Sequence, residues 1–523
     1  MAVAAYTTDL QDIADLDSSG GTAVEPASLW TAGRSPEEAD TDFPIQGTVH
    51  ASLTMNTTGK AGILVPGNSG WSSGDYIFGW VIWLAPGAIA NYAGGGLAML
   101  LGDSASVFNV YYVGGNDFGS YPYGGWQNFA VDPEMTPDEN AGSPSTFNYV
   151  GAGANVSSAV SKGNPLGFDV FRYGRGEIRI VGGTSTDDDA TFVGMAAQND
   201  NNSNRWGLFQ AIEGGYKFKG LMYFGYGNPT NFTDSNKNIV IDRCDWVATD
   251  FNRIEIHNAS SVINWTNINI TALGTNAKGE FEMIDDATVN FTGCVFTDMS
   301  TFIFDSNATI DGCTFRRCGE VTQAGGDFDN CIFDESAAAI ALVVDNPDNI
   351  DNCTFVSDGT GHAIELGTAC AGNSYTLTDF FVSGYAASDG STGNEVILNS
   401  SGGTVTLNID GGSGVSALSI KGGNVTLVAN YSFTVTGLES GTEVTIVTSG
   451  TSTVLHHTES AVTSDGAGKY QITYSHGGGA TVDVLIHHIN YQPDISNIYG
   501  LTLPGNNSSA KVKQFPDLNY ENP

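Results

Sequence analysis

A six-residue phrase recurs five times between Ile241 and Phe355, and it restricts the fold more than any other feature of the chain. The copies are Ile241-Asp-Arg-Cys244-Asp-Trp246, Phe291-Thr-Gly-Cys294-Val-Phe296, Ile310-Asp-Gly-Cys313-Thr-Phe315, Phe328-Asp-Asn-Cys331-Ile-Phe333 and Ile350-Asp-Asn-Cys353-Thr-Phe355. From Cys294 onward the cysteines step by 19, 18 and 22 residues, the period of a stacked coil rather than of a helix pair. A weaker copy, Asn264-Trp265-Thr266-Asn267-Ile268, fits between the first two.

Each place in the phrase has a physical reading. The large apolar residue closes one strand, and Asp followed by Gly or Asn makes a tight corner, since Gly and Asn tolerate positive φ. Cys and the aromatic residue, two apart, then face the same way on the next strand. One coil cannot bury its own apolar side, so coils stack and pile like on like. The expected structural ladder is Cys244, Cys294, Cys313, Cys331 and Cys353, with Phe296, Phe315, Phe333 and Phe355 beside it. The triplets Tyr375-Thr-Leu377, Val405-Thr-Leu407 and Val425-Thr-Leu427 continue the inward, outward, inward pattern.

The expected fold is all-β: a jelly-roll or lectin-like β-sandwich, then a single-stranded right-handed parallel β-helix, then a small Ig-like β-sandwich. The boundaries read from pattern changes are an acidic N-terminal docking arm at 1–44, the sandwich at 45–235, the β-helix at 236–430, the small sandwich at 431–493 and an extended tail at 494–523. Sixty-seven glycines agree with a turn-rich β protein.

A formal charge of −38 with only 19 Lys and Arg argues against nucleic acid as a partner, because phosphate binding needs a basic surface. No apolar run approaches the roughly 20 residues of a membrane span. Met1 to Leu10 lacks the basic end and apolar core of a signal peptide. The seven cysteines read as small buried apolar residues rather than as disulfides or metal ligands.

Few residues invite chemistry. Asp311, Asp329 and Asp351 occupy one place in consecutive copies, so stacking brings their carboxylates to a separation of about 5 Å, near that of retaining glycosidases. The simpler account makes each Asp the hydrogen-bond acceptor of its own corner. Trp126, with Tyr121 and Tyr123 in Tyr-Pro-Tyr-Gly-Gly-Trp, is the candidate carbohydrate platform, set against ordinary packing. His487 and His488 face opposite sides of one strand, so a metal would need histidines from several chains; otherwise no metal and no cofactor is expected. The acidic loops at 132–140 and 187–189 lack calcium-loop spacing and read as solvated turns.

The order of parts, with the Asp-Asn-Cys-x-Phe phrase and the passage Phe433-Thr-Val-Thr-Gly-Leu-Glu-Ser-Gly-Thr-Glu-Val444 ending in His487-His-Ile-Asn-Tyr-Gln-Pro493, resembles the fibre, spike and head-decorating proteins of tailed bacteriophages. The resemblance implies a non-enzymatic virion structural protein, a tail fibre, tailspike or capsid-decoration component that mediates host attachment or stabilises the particle. It implies a homotrimer assembled in the host cytoplasm, whose partners are itself, other virion proteins and a host cell-surface glycan. The alternatives are a tailspike that depolymerises polysaccharide, with Asp311, Asp329 and Asp351 as its acids, and a bacterial surface adhesin.

Overall fold

The structure is a computed structural model. It describes residues 4–517 apart from 15, 17–23, 43, 84–95, 114–125, 160–165, 183–189, 200–206, 386–394, 411–419, 423–424, 430, 477–480, 493–494 and 504–506. The chain is all-β and divides into two compact units, Met1–Ala308 and Thr309–Pro523.

The first unit opens with two antiparallel sheets. One orders the strands Gln127–Val131, Tyr76–Trp83, Leu166–Gly174, His50–Met55 and Arg34–Asp40; the other orders Glu139–Ala141, Val107–Tyr112, Leu97–Ser104, Tyr149–Val156, Gly59–Pro66 and Glu25–Thr31. Their facing sides bury Leu53, Ile63, Val81, Met99, Tyr111 and Phe168 in one core. Glycine is required where the second sheet takes Trp30: a Cβ at Gly153 would lie 2.6 Å from the indole ring.

The described part of the N-terminal segment read as a docking arm pairs as strands with the two sheets. Gln11–Ala14 pairs with Leu166–Gly174, Glu25–Thr31 with Gly59–Pro66 and Arg34–Asp40 with His50–Met55. The segment's apolar residues Leu10, Ile13, Leu16 and Trp30 are buried. An acidic strand can edge a sheet when only alternate residues must be dry.

The parallel coil of the first unit starts at Glu177–Val181, well before residue 236. Three sheets form its sides. Sheet A stacks Glu177–Val181, Leu221–Phe224, Arg253–Ile256, Glu280–Met283 and Phe302–Ile303; sheet B stacks Asn231–Ser235, Val262–Thr266 and Thr288–Thr292; sheet C stacks Gly215–Phe218, Asn238–Ile241, Asn269–Ala272 and Val295–Thr297. The α-helix Phe192–Asn199 closes the starting end. Thr191 Oγ1 accepts from the Gly194 N–H at 3.0 Å and Asp234 from the Phe192 N–H at 2.9 Å, which caps the helix. Its Phe192 ring lies on Phe209, Phe232 and Trp265 at 5.6, 4.7 and 5.7 Å, covering the interior of the first coils.

In the second unit the phrase behaves as expected. Ile310 pairs with Phe328 and Phe328 with Ile350, while Phe315, Phe333 and Phe355 stand in register one above another. Their rings stack at 5.1 and 4.6 Å, within 8° and 5° of parallel. Cys331 and Cys353 follow the same file, each thiol donating to a carbonyl of the preceding coil, Ile310 O at 3.3 Å and Phe328 O at 3.4 Å. Gly312, Asn330 and Asn352 turn the corner with φ of 63°, 54° and 50°. All seven cysteines are free and buried. The later triplets also lie in stacked strands, but shifted: Tyr375 pairs with Leu407 rather than Val405.

The first copy of the phrase departs from the ladder. Trp246 turns toward the sandwich, donating from Nε1 to Tyr112 O at 2.8 Å with its ring against Tyr111 at 5.4 Å. Asp242 is no corner acceptor: its carboxylate is buried between Lys219 at 3.1 Å and Lys217 at 3.3 Å.

The second unit ends in two four-stranded sheets enclosing Phe433, Val435, Val444, Ile446, Val484 and Leu503. The stretch read as a tail supplies two of their strands. Ile498–Thr502 pairs with Thr481–His487, and Ser508–Lys511 runs parallel to Tyr431–Leu438. No helix among the described residues is long and apolar enough to cross a membrane.

Candidate functional site

The coil brings Asp311, Asp329 and Asp351 together in one register file on the outer side of the second unit. They are half-buried rather than hidden. Burial pushes the Asp329 carboxyl up, and Asp327, Asp351 and Asp311 push it the same way. The expected hydrogen bond of each Asp within its own corner is replaced, for Asp311, by one from the next coil: Asn330 Nδ2 donates to Asp311 Oδ1 at 2.8 Å. Asn352 Nδ2 in turn donates to Asn330 Oδ1 at 2.6 Å, so corner amides form a ladder beside the acids. A carboxyl pushed up by burial and by neighbouring acids is the arrangement a general acid requires.

A second cluster escaped the sequence reading. On the outer side of sheet A in the first unit, Glu255 lies 3.1 Å from Arg253 Nη1 and 3.0 Å from His257 Nε2. The His257 ring stacks on Tyr223 at 4.0 Å and 9°, Tyr226 meets Tyr223 edge-on at 5.1 Å, and the Arg179 guanidinium covers Tyr226 at 4.0 Å. Glu177 holds Arg179 through Nε at 2.9 Å and Nη2 at 2.7 Å. Glu282 stands in register with Glu255 one coil on, and burial followed by Asp250 pushes the Glu280 carboxyl up against the opposing pull of Arg253. The signal was available in Arg253-Ile-Glu-Ile-His257 and Glu177-Ile-Arg-Ile180, where charge alternates with isoleucine, the mark of a strand with one wet side.

Trp126 is occupied with packing. It is half-buried against Ile45, Trp80 and Val170, and its ring meets His50 edge-on at 5.2 Å. Burial pushes the His50 imidazole down, against the opposite pull of Asp40, Asp42 and Glu37. Tyr121 and Tyr123 lie outside the described residues, as does the loop at 187–189.

His487 Nδ1 stands 3.7 Å from Glu443, whose other oxygen is 4.0 Å from His457 Nδ1. His488 uses both ring nitrogens locally, Nε2 toward Ser440 O at 2.9 Å and Nδ1 as acceptor from the Asn490 N–H at 3.1 Å. Among the described residues no three His, Cys, Asp or Glu side chains converge as a metal site.

Comparison with known proteins adds no relative: no family model, no curated protein and no solved structure matches this chain.

Proposed function

We propose that the chain is a structural protein of a tailed-bacteriophage virion, a fibre, spike or capsid-decoration component that attaches the particle to its host or stabilises it. The observation that carries this reading is the repeat-built coil, with its stacked Phe315, Phe333 and Phe355 and its corner amides, in a chain that also has antiparallel modules before and after it. A solenoid whose coils support only their neighbours is a stiff presenting element, suited to holding modules out from a surface. Its expected partners are further copies of itself, other virion proteins and a host surface glycan. Immunogold labelling of purified particles with an antibody to the terminal sandwich tests it: gold on the head or tail is expected, and unlabelled particles from a lysate that contains the protein overturn it.

The acid file favours a second reading, a spike that also cleaves polysaccharide. Asp329, its carboxyl pushed up by burial and by Asp327, Asp351 and Asp311, would donate a proton to the leaving oxygen. New reducing ends after incubation with host polysaccharide, lost in Asp329→Asn, support it; none with the intact protein removes it.

A further inference from the structure

The outermost strand of the first antiparallel sheet, Arg34–Asp40, is paired on one side only, with His50–Met55. Its stretch from Ser35 to Glu38 is exposed, and its register slips between Glu37 and Asp40. Such a strand opens more cheaply than the sheet it edges, because little apolar surface leaves the core with it. Where it ends, Asp40 stands across from His50, and both residues are buried.

His50 is 2% exposed. Its Nε2 lies 3.8 Å from Asp40 Oδ2, too far for a hydrogen bond, and among the described residues its Nδ1 has no hydrogen-bond partner. The ring is set against Trp126, which it meets edge-on, and against Gly167, where a Cβ would lie 2.8 Å from Nε2. The Asp40 carboxylate has a second task, since its Oδ1 accepts from the Asp42 N–H at 2.9 Å. An imidazolium in that place would bring a charge and two N–H donors to a site that offers one carboxylate at long range.

The charged groups around the ring are Asp40 and Glu37 on the edge strand and Asp42 just after it; all three favour protonation, and burial outweighs them. On the strand carrying Gly167, the Asp169 carboxylate accepts from the Ile45 and Gln46 N–H groups at 3.0 and 3.3 Å, and Arg172 is paired with Asp12 at 3.0 Å. His50–Met55 itself has no other charged residue, and neither has Gln127–Val131 beside Trp126.

We propose that His50 is an acid-sensitive latch on the edge strand: the neutral ring lets Arg34–Asp40 close beside it, and the imidazolium releases that strand, baring His50–Met55 as a free sheet edge. Once the strand is open the ring stands in water and titrates near about 6.5. The closed value is lower, so the closed form is fully favoured above that range and loses ground as pH falls through the closed value. Ordinary carboxylates stay ionised down to about 4, which leaves His50 as the titrating group of this edge in between. The latch is independent of the virion reading.

Hydrogen–deuterium exchange of the full chain, read as protection factors at about pH 7.5 and about pH 5, tests it. Opening of Arg34–Asp40 and His50–Met55 is expected to rise at least about twofold on acidification, while Leu97–Ser104 in the facing sheet holds constant. His50→Phe, apolar and planar, should remove the rise. If that variant packs badly, Asp40→Asn gives the second measurement: its amide oxygen can still accept from the Asp42 N–H but no longer favours the imidazolium, so the acid response should be kept or enlarged. Opening that ignores pH, a rise that survives in His50→Phe, or a smaller response in Asp40→Asn overturns the latch. An NMR titration that places the His50 midpoint at or above the free-histidine range overturns it too. Immunogold labelling bears on the virion reading alone, so the two readings fail separately.

Discussion

Lys219 Nζ lies 3.1 Å from the Asp242 carboxylate, and both side chains are almost wholly removed from water. Burial alone would raise the Asp242 carboxyl, but Lys219 and Lys217 outweigh it and hold the group below its ordinary range. Burial pushes Lys217 down as well, against the pull of Asp242.

Removing the carboxylate should therefore be costly. Asp242→Ala leaves two lysines buried without their partner, and a loss of about 3–5 kcal/mol is expected in urea unfolding of the first unit. Since the folded value is depressed, the Asp242 contribution is fully present above the unfolded carboxylate range of about 4 and is lost as pH falls through the lower folded value. The difference between intact chain and Asp242→Ala should shrink over that acid range; a constant difference would remove the pairing from the account.

Phe333 has a stacked neighbour on either side, Phe315 and Phe355, so truncating it opens a hole inside the file. Phe333→Ala is expected to cost about 3–5 kcal/mol. Ile332, its neighbour in sequence, faces out with 41% exposure, and Ile332→Ala should stay within about 0.5 kcal/mol. Denaturant melts of the pair check both, and equal losses would mean that the inward and outward sides are wrongly assigned.

Corner residues should show a preference that follows backbone shape. Gly312 sits at φ of 63° and Asn330 at 54°. Gly312→Ala is expected to destabilise by about 1–2 kcal/mol through left-handed strain. Asn330→Gly should change stability by less, because the amide ladder it loses is offset by relief at the same angle; thermal melts of the two variants rank them.

Asp329 should run the opposite way to Asp242. Its folded value is raised by burial and by three neighbouring acids, so its ionised form opposes folding above that value. As pH falls between the folded and unfolded values, the folded chain takes up a proton first and gains stability. Asp329→Asn should thus stabilise at neutral pH by a few tenths of a kcal/mol, solvent screening keeping the figure small. A destabilised Asn variant would mean that the carboxylate accepts a hydrogen bond the corner depends on.

Much of the fold was legible in the cysteine phrase, because a corner needing positive φ and an inward pair two residues apart leave a strict imprint on every coil. Coils without the phrase left none: Leu221–Phe224 and Glu177–Val181 line the inner side of sheet A with Met222, Phe224, Ile178 and Ile180, residues any sandwich strand would also use. In the N-terminal segment the acids Glu37 and Glu38 face water from an edge strand while Trp30 and Ile13 supply the core, so its acidic run hid two strands. The Asp file could be read from spacing alone. The Glu255 cluster could not, since it joins coils of 32 and 27 residues, Tyr223 to Glu255 to Glu282, whose length hides the repeat.

The Phe192 helix has a meaning beyond packing. A stack of coils has no intrinsic terminus, and its last layer offers bare aromatic rings and unspent N–H and C=O groups that suit another such layer. Eight residues of helix cover the aromatic interior there, while Ala5–Thr8 and Phe209–Ile212 pair the leading edges of sheets A and C. Cut the helix away and Phe209, Phe232 and Trp265 lose their cover, an apolar mouth through which copies of the chain would aggregate.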